Sequence, residues 1–333
     1  MSHDLDQTTG RYAHAYVGET PWHGLGEKLP EGEPIEVWVK AAGLDWELRR
    51  LPVEYLVNGT LRLMPDRFIL ARSDTDTALS VVSAKYKIVQ PKEVLEFYRD
   101  LVDAYGYTLE TAGALNGGRK FWALARTGRT LDLNAGCGKP DDLAAYLLLA
   151  TSCDMTLATT AAFTSVRVVC KNTLSFAMND VAGNKRRHIK VRHSRHFNPD
   201  HVKKDLGLID KPWEVFLANV RRMAATPLTP NEASIFFERL LQPREEAPMS
   251  PRTANEHNSL KALLTSAPGQ NFPTTEETLR GAVNAVTYYV DHLRSSKVGD
   301  RLDSAWFGPG NTLKDKAWDL ATEIIETAGA ATE

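Results

Sequence analysis

Residues 164–196 read TSVRVVCKNTLSFAMNDVAGNKRRHIKVRHSRH, and this stretch separates a β-prone part of the chain from a helical part. Its beginning is apolar and β-branched, which favours a strand. Its end opens the basic tract, residues 185–204, which holds eight Lys and Arg residues against one acid, Asp200. The whole chain has a formal net charge of −2, so seven net positive charges here leave about −9 for the rest. The basic tract is therefore a candidate site for a polyanion.

The residues before the basic tract predict a series of β-hairpins. Asn58-Gly59 and Asn116-Gly117-Gly118 are typical hairpin turns, and each separates two β-prone runs. The predicted strands cover residues 45–56, 60–64, 67–73, 78–84, 108–115, 120–127, 144–152 and 156–169.

Helices are predicted mainly after residue 200. Two capping boxes, TPNE at 229–232 and TTEE at 274–277, predict helix starts. Apolar residues at helical spacing predict helices from Pro91 and over 312–327. A short helix that Gly43 ends is expected over 35–43, and the segment 172–178 is expected to start a helix packed on the sheet.

Strands followed by helices predict an α+β fold, with an antiparallel β-rich N-terminal core and packed helices, followed by a helical C-terminal region. We predict three parts: an N-terminal arm and short helix over 1–43, an antiparallel β-sheet plus helix core over 44–198, and a helical region over 199–333.

The bulk composition is that of an ordinary globular protein. Hydrophobic residues make up 43% and charged residues 25% of the chain. The polar start lacks a secretory signal, and the longest apolar run, Ala144 to Ala150, is too short to span a bilayer. The three cysteines are widely spaced and do not suggest a disulfide framework. We expect a cytoplasmic protein without membrane attachment.

No complete catalytic motif is present. Asp141, Asp142 and Asp154 could hold magnesium in a nuclease, but capping or turn-forming roles suit them better. Cys170 ends an apolar run, where a cysteine is usually inert packing. We predict no catalytic residue, no metal and no cofactor, and keep an enzyme acting on a nucleotide or nucleic acid as an alternative.

Within the basic tract, Ile189 and Val191 alternate with Lys190 and Arg192, which predicts an exposed strand with one basic face. Cationic side chains at every second position can follow a phosphate backbone. The alternative is a solvated connector between two domains. The candidate phosphate contacts are Lys185, Arg186, Arg187, Lys190, Arg192 and Arg195, with Arg167 and Lys171 on the preceding element.

Trp22 and His23 lie in a glycine-rich segment near the start of the chain. The functional interpretation of this pair is contact with a ligand or another subunit. The alternative is that Trp22 packs into the core of its own chain.

Five segments, in order along nearly the whole chain, carry a family resemblance. They are YVGETPWHGLGEKL (16–29), AKYKIVQPKEVLEF (84–97), LATTAAFTSVRVVCKNTLSFAM (157–178), VRHS (191–194) and FGPGNTLKDKAWDLA (307–321). In these segments the chain resembles the phage/plasmid-like proteins that carry a bacterial domain of unknown function. The resemblance implies that the gene belongs to phages, prophages or plasmids of bacteria. It implies no activity and no catalytic residue.

The order of two hairpins, 108–127 and 144–169, followed by a helix is also similar to the core of single-strand annealing proteins. Those proteins form oligomeric rings and hold single-stranded DNA in a basic groove. We therefore expect a non-catalytic nucleic-acid-binding protein of recombination or replication, with single-stranded DNA as the favoured partner and a homo-oligomeric state. A module that binds a host or phage protein is the other alternative.

Overall fold

The computed structural model describes residues 5–21, 24–133, 141–167, 172–175, 178–179, 185–186, 188–206, 210–242, 249–294 and 301–330. Among these residues, strands precede residue 192 and most helices follow residue 198, so the predicted α+β class is confirmed.

The strands are β1 (His14–Tyr16), β2 (Glu27–Lys28), β3 (Leu48–Val57), β4 (Thr60–Arg72), β5 (Ala78–Ser83), β6 (Thr108–Leu115), β7 (Lys120–Asp132), β8 (Asp142–Ser152), β9 (Thr159–Arg167), β10 (Asn172–Ser175), β11 (Met178–Asn179), β12 (Lys185–Arg186) and β13 (Ile189–Val191). The helices are α1 (Ile35–Ala41), α2 (Pro91–Glu96), α3 (Arg99–Tyr105), α4 (Pro199–Leu206), α5 (Asp210–Ala225), α6 (Pro230–Leu241), α7 (Pro251–Ser266), α8 (Leu279–Tyr288), α9 (Arg301–Trp306) and α10 (Pro309–Ala330).

The chain divides into two compact units. Unit 1 comprises Met1–Gly128, Tyr146–Phe163 and Met178–Gly207, and unit 2 comprises Arg129–Ala145, Thr164–Ala177 and Leu208–Glu333.

Unit 1 is built on a sheet with the strand order β9-β8-β7-β6-β1-β2, in which β13 pairs with β9. The predicted hairpin at Asn116-Gly117-Gly118 joins β6 to β7. Every residue from Lys120 to Ala125 is buried, so both faces of β7 are covered. A second, three-stranded sheet has the order β3-β4-β5, and Asn58-Gly59 forms its predicted first turn. Both turn residues have positive φ, 49° and 75°, as this kind of hairpin turn requires.

The helix predicted from Pro91 is interrupted. Helix α2 ends at Glu96 and α3 begins at Arg99, and the two residues between them, Phe97 and Tyr98, are fully buried. The Tyr98 hydroxyl lies within hydrogen-bond distance of the carbonyl oxygens of Ala123 (2.8 Å) and Leu147 (2.9 Å). This contact fixes the break against the central strands of the sheet.

In unit 2, helix α8 forms the centre of the helical packing, because every residue from Leu279 to Thr287 is buried. A Cβ atom on Gly281 would lie 2.0 Å from the carbonyl oxygen of Thr275, so only glycine fits there. The rings of Trp213, Phe216 and Trp318 stack in series, with centroid distances of 5.5 and 4.8 Å. The predicted capping box at 229–232 begins α6 as expected.

Two predicted helix starts are wrong. Residues 172–175 form strand β10, which pairs with β9 from Asn172 opposite Arg167 to Ser175 opposite Thr164. The edge of β9 offers unpaired backbone N–H and C=O groups. Pairing with this edge gives hydrogen bonds to more backbone groups of residues 172–175 than a single helical turn would. The TTEE sequence at 274–277 also fails as a capping box. Helix α8 instead begins after Thr278, whose hydroxyl accepts from the Gly281 N–H.

Candidate nucleic-acid interface

Strand β13 carries Lys190, and Arg192 follows its last residue. It pairs antiparallel with β9, with Lys190 opposite Thr160. Ile189 and Val191 are half-buried, whereas Lys190 and Arg192 are exposed. The pleat of the strand therefore presents its basic side chains to solvent on one face.

His193 anchors the end of this strand. Its Nδ1 lies 3.1 Å from the Lys87 carbonyl oxygen, and its Nε2 lies 3.2 Å from the Leu157 carbonyl oxygen. The imidazole also stacks on the Tyr86 ring, with a centroid distance of 4.6 Å and an angle of 15°. These contacts hold residues 192–194 in a defined place, which a solvated connector does not require.

A tight turn follows. The Arg195 N–H donates to the Arg192 carbonyl oxygen at 2.9 Å, and both side chains are exposed. Helix α4 then begins at Pro199, and the Asn198 side chain accepts from the His201 N–H at 3.0 Å. Asn198 thus caps the helix, and the turn and helix together form one side of a groove.

Two clefts adjoin along this segment of unit 1, and both are lined by Arg192 and Ser194. The larger cleft has a volume of about 580 Å³ and lies between β13 and α4. It is also lined by Lys190, Arg195, His196 and His201. The smaller cleft has a volume of about 260 Å³. Its other walls are Ser83, Lys85, Tyr86, Met155, Ala158 and His193. Arg192 therefore stands where the two clefts meet.

The electrostatics of the larger cleft favour an anion. Lys190, Arg192 and Arg195 form no ion pair with any acid among the described residues. The acid that lines this cleft, Asp205, lies 3.1 Å from the imidazole of His201. Three exposed positive charges therefore face solvent in a concave surface, where a bound anion gains most from them.

The helical end of the basic tract behaves differently. Lys203 donates to Asp100 at 2.8 Å, and its ammonium lies 5.3 Å from the centre of the Phe97 ring. The hydrogen bond from Lys203 holds the pKa of the Asp100 carboxyl below its usual range. Phe197 packs at 6.2 Å against the same Phe97 ring, so it serves the core of unit 1. Three exposed cations, Lys190, Arg192 and Arg195, thus lie close together before the helix, whereas Lys204 is an exposed cation on the helix itself.

The structure brings together three of the candidate phosphate contacts: Lys190, Arg192 and Arg195. Arg187 and Lys171 lie outside the described residues, as do Trp22 and His23. For the other three candidates the structure describes the backbone alone. Lys185 and Arg186 form β12, which pairs with β11, and Arg167 ends β9.

Two of the three acids considered for catalysis, Asp141 and Asp154, have structural partners. Asp141 is fully buried in unit 2 and pairs with Arg280 at 2.5 Å, and it accepts from Thr274 at 2.7 Å. In unit 1, Asp154 accepts from the N–H and the hydroxyl of Thr156 at 3.0 and 2.6 Å, which closes a local turn. Across the described residues, no three His, Cys, Asp or Glu side chains are grouped so that they could hold a metal ion. Cys170 lies outside those residues.

Sequence reasoning identified Arg192 but missed Lys85, Tyr86 and Met155 in the smaller cleft. Lys85 and Tyr86 follow β5, and Met155 lies in the turn between β8 and β9 with a positive φ of 66°. A bulky residue rarely adopts that conformation, which makes Met155 a position to test for function. One signal was present in the sequence, because KYK (85–87) gathers two cations and an aromatic residue beside the predicted strand 78–84.

Comparison with known proteins identifies the domain that contains this interface. Residues 78–306 match a domain of unknown function, DUF932. The chain belongs to the DUF932 family. The DUF932 match includes every residue that lines the two clefts and confirms the predicted membership of a family with a domain of unknown function.

No curated protein and no solved structure matches the chain. None of the helices in the described part of this DUF932 protein is both long and apolar enough to cross a membrane.

Proposed function

We propose that this DUF932 protein binds nucleic acid without catalysing a reaction on it, and that the strand's phosphates lie along β13 and the turn that follows. The observation that supports the proposal is the set of exposed cations, Lys190, Arg192 and Arg195, in a groove where no described acid pairs with them. Binding of this kind is driven by the release of counterions from the phosphates and is largely independent of base sequence.

The spacing of the cations suits a phosphate chain. Alternate residues of a strand are about 6.6 Å apart, and the phosphates of one DNA strand rise by about 3.4 Å each. Lys190 and Arg192 therefore span about two phosphates, and Arg195 extends the row around the turn.

The smaller cleft favours a single strand over a duplex. Its volume of about 260 Å³ suits a single unpaired base rather than a base-paired helix. Its walls combine the stacked Tyr86 and His193 rings with the exposed side chains of Lys85 and Met155. An unpaired base in this cleft would leave its phosphate beside Arg192.

The biological setting is proposed from the resemblance to phage/plasmid-like proteins. We propose a cytoplasmic role in recombination or replication of a mobile element, similar to single-strand annealing, with the chain working as a homo-oligomer. An enzymatic role gains no comparable support, because Asp141 is engaged in a buried ion pair and Asp154 in a turn.

The test measures binding of a labelled single strand of about 30 nucleotides by fluorescence anisotropy, at about 50 and about 200 mM salt. The wild-type chain should bind the single strand more tightly than a duplex of the same sequence. A variant with Lys190→Gln, Arg192→Gln and Arg195→Gln should bind more weakly. Its slope of log affinity against log salt should be smaller in magnitude by about 2, because each lost phosphate contact removes about 0.7.

The matched control carries Arg221→Gln, Lys261→Gln and Lys316→Gln, which remove three exposed charges from unit 2. This control should bind as the wild-type chain does apart from a small change due to net charge. The proposal fails if the wild-type chain does not bind at the lower salt, or if the groove variant and the control lose the same affinity.

A further inference from the structure

The β3–β4 hairpin extends beyond the sheet to which it belongs. Strand β5 pairs with β4 only from Arg67 to Ala71, so residues 53–64 form a two-stranded ribbon with no third strand among the described residues. We call residues 53–64 the apolar hairpin. A two-stranded hairpin is marginally stable in water by itself. Packing against a partner surface would therefore stabilise the projecting part of this hairpin.

The side chains of the apolar hairpin are unusually exposed for their type. The exposed fractions of Leu56, Leu61 and Leu63 are 68%, 61% and 63%. Leu56 lies directly opposite Leu61, and Leu63 lies opposite Glu54, so the three leucines share one face of the ribbon. The other face carries Tyr55, Val57 and Met64, which are also exposed.

The exposed apolar area is large enough to define an interface. With roughly 150 Å² for each large side chain, these six residues expose about 500 Å² in total. The three leucines supply about 290 Å² of this area on one face, and Tyr55, Val57 and Met64 supply about 200 Å² on the other. The leucine face alone is comparable in size with the largest apolar patch of a typical monomer, and such patches are often interaction sites. The apolar hairpin also lies outside the DUF932 match, which begins at residue 78, so the patch is separate from the matched domain.

We propose that the apolar hairpin is a self-association surface, and that its partner is the apolar hairpin of a second copy of this chain. A standard interface buries about 800 Å² on each partner, of which about 60% is apolar. The apolar share is therefore about 500 Å² for each copy. The leucine face supplies about 290 Å² of it, and the opposite face of the hairpin can supply most of the rest.

The charge of the apolar hairpin agrees with a second copy as the partner. The segment holds one acid, Glu54, and one base, Arg62, so its net charge is zero. Two copies therefore do not repel each other, and the same patch can face itself across a two-fold axis. The apolar hairpin has no net charge to attract a polyanion, unlike the larger cleft with its three exposed cations.

The root of the hairpin is tied to the smaller cleft. Ser83, which pairs with Arg67 on β4, lines that cleft. Arg50 on β3 donates to the carbonyl oxygen of Tyr86 at 2.7 Å, and Tyr86 is another of its walls. This inference rests on the homo-oligomeric state proposed above. Nucleic-acid binding is measured separately, so binding and self-association can fail independently of each other.

Sedimentation velocity from about 1 to about 100 µM protein tests the proposal. The wild-type chain should form dimers or larger assemblies. A variant with Leu56→Thr, Leu61→Thr and Leu63→Thr keeps residues suited to a strand and should raise the dissociation constant by at least about a hundredfold. The matched control, Val215→Thr with Ile235→Thr, changes two apolar residues of unit 2 that are 62% and 49% exposed, and it should associate as the wild-type chain does.

Photo-crosslinking identifies the contact independently of any loss of folding. A benzoylphenylalanine in place of Leu61 should give a product of twice the chain mass, with the crosslink inside residues 53–64 of the other copy, whereas the same group at Val215 should not. Three results would overturn the proposal: a monomeric wild-type chain over the whole concentration range, undiminished association of the leucine variant, or a crosslink outside the hairpin. A monomeric chain that floats with phosphatidylglycerol vesicles through these leucines would assign the surface to lipid instead.

Discussion

Arg72 and Arg192 are both arginines of unit 1, and the chain treats them in opposite ways. Arg72 is 1% exposed, forms ion pairs with Asp6 and Asp74, and lies over the Trp46 ring at 4.2 Å. Burial lowers the pKa of the Arg72 guanidinium, but the two carboxylates raise it by more, so the group stays charged. Arg192 is exposed and forms no ion pair with a described acid. The chain supplies paired carboxylates for the arginine that it buries, whereas no described carboxylate pairs with Arg192.

Unit 2 also pairs its buried cations with carboxylates. Arg280 is buried with Asp141 at 2.5 Å, and Lys314 is buried with Asp291 at 2.7 Å. A buried cation without an acid would be very costly, whereas an exposed one costs nothing to leave unpaired. No described acid pairs with Lys190, Arg192 or Arg195 in the larger cleft, so these cations can serve an outside anion, and substitutions in the two classes should have different consequences.

The largest expected effect is on stability, from Arg72→Met. Methionine keeps most of the side-chain volume but leaves Asp6 buried without its ion-pair partner. We expect a loss of about 3–5 kcal/mol in the free energy of unfolding, measured by urea denaturation followed by circular dichroism.

Arg192→Met is the matched control, with an expected change within about 0.5 kcal/mol. Equal losses for the two variants would break the comparison between paired and unpaired arginines.

Besides the buried, paired Arg72 and the exposed Arg192, unit 1 contains a buried titratable group that stays neutral, His14. His14 is 3% exposed, with Nδ1 3.0 Å from the Leu25 carbonyl oxygen and Nε2 2.8 Å from the Thr111 hydroxyl. Burial lowers its pKa from 6.5 to about 4, although the Leu25 carbonyl opposes part of that shift. The unfolded chain therefore binds a proton below pH 6.5 that the folded chain refuses until about pH 4.

The stability contributed by neutral His14 should be complete above pH 6.5 and should fall by about 3 kcal/mol as the pH drops to about 4. His14→Gln should flatten the dependence of the unfolding free energy on pH in that range, whatever its effect at neutral pH. An unaltered slope in the His14 variant would show that this residue is not the source of acid sensitivity.

The hairpins were predictable because their signals are local. Asn58-Gly59 and Asn116-Gly117-Gly118 each specify a turn within a few residues, and the structure has both. Strand β10 was not predictable in this way, because residues 172–175 become a strand only by pairing with the edge of β9. The same is true of the start of α8, where Thr275 donates instead to the Gly269 carbonyl oxygen at 2.7 Å.

The candidate site also combines a feature that local sequence predicts with one that depends on tertiary contacts. The alternation of Lys190 and Arg192 with apolar residues is written in consecutive positions, so the basic face of β13 could be predicted. The smaller cleft combines Lys85, Met155 and Ser194, which are 70 and 39 residues apart along the chain. Only the folded sheet brings such distant segments together, so sequence periodicity carries no signal for the cleft.

The smallest expected effect on stability belongs to the groove variant with Lys190→Gln, Arg192→Gln and Arg195→Gln. Because these side chains are exposed and pair with no described acid, the free energy of unfolding should change by less than about 0.5 kcal/mol. Adding a single-stranded oligonucleotide should increase the difference in unfolding free energy between the wild-type chain and the groove variant. At a ligand concentration of about 100 times the dissociation constant, the wild-type chain should gain about 2.7 kcal/mol, because ligand binds only the folded state. The groove variant should gain clearly less at the same concentration. A loss of stability above about 1 kcal/mol without ligand would mean that these cations hold the fold together, and the contrast with Arg72 would no longer stand.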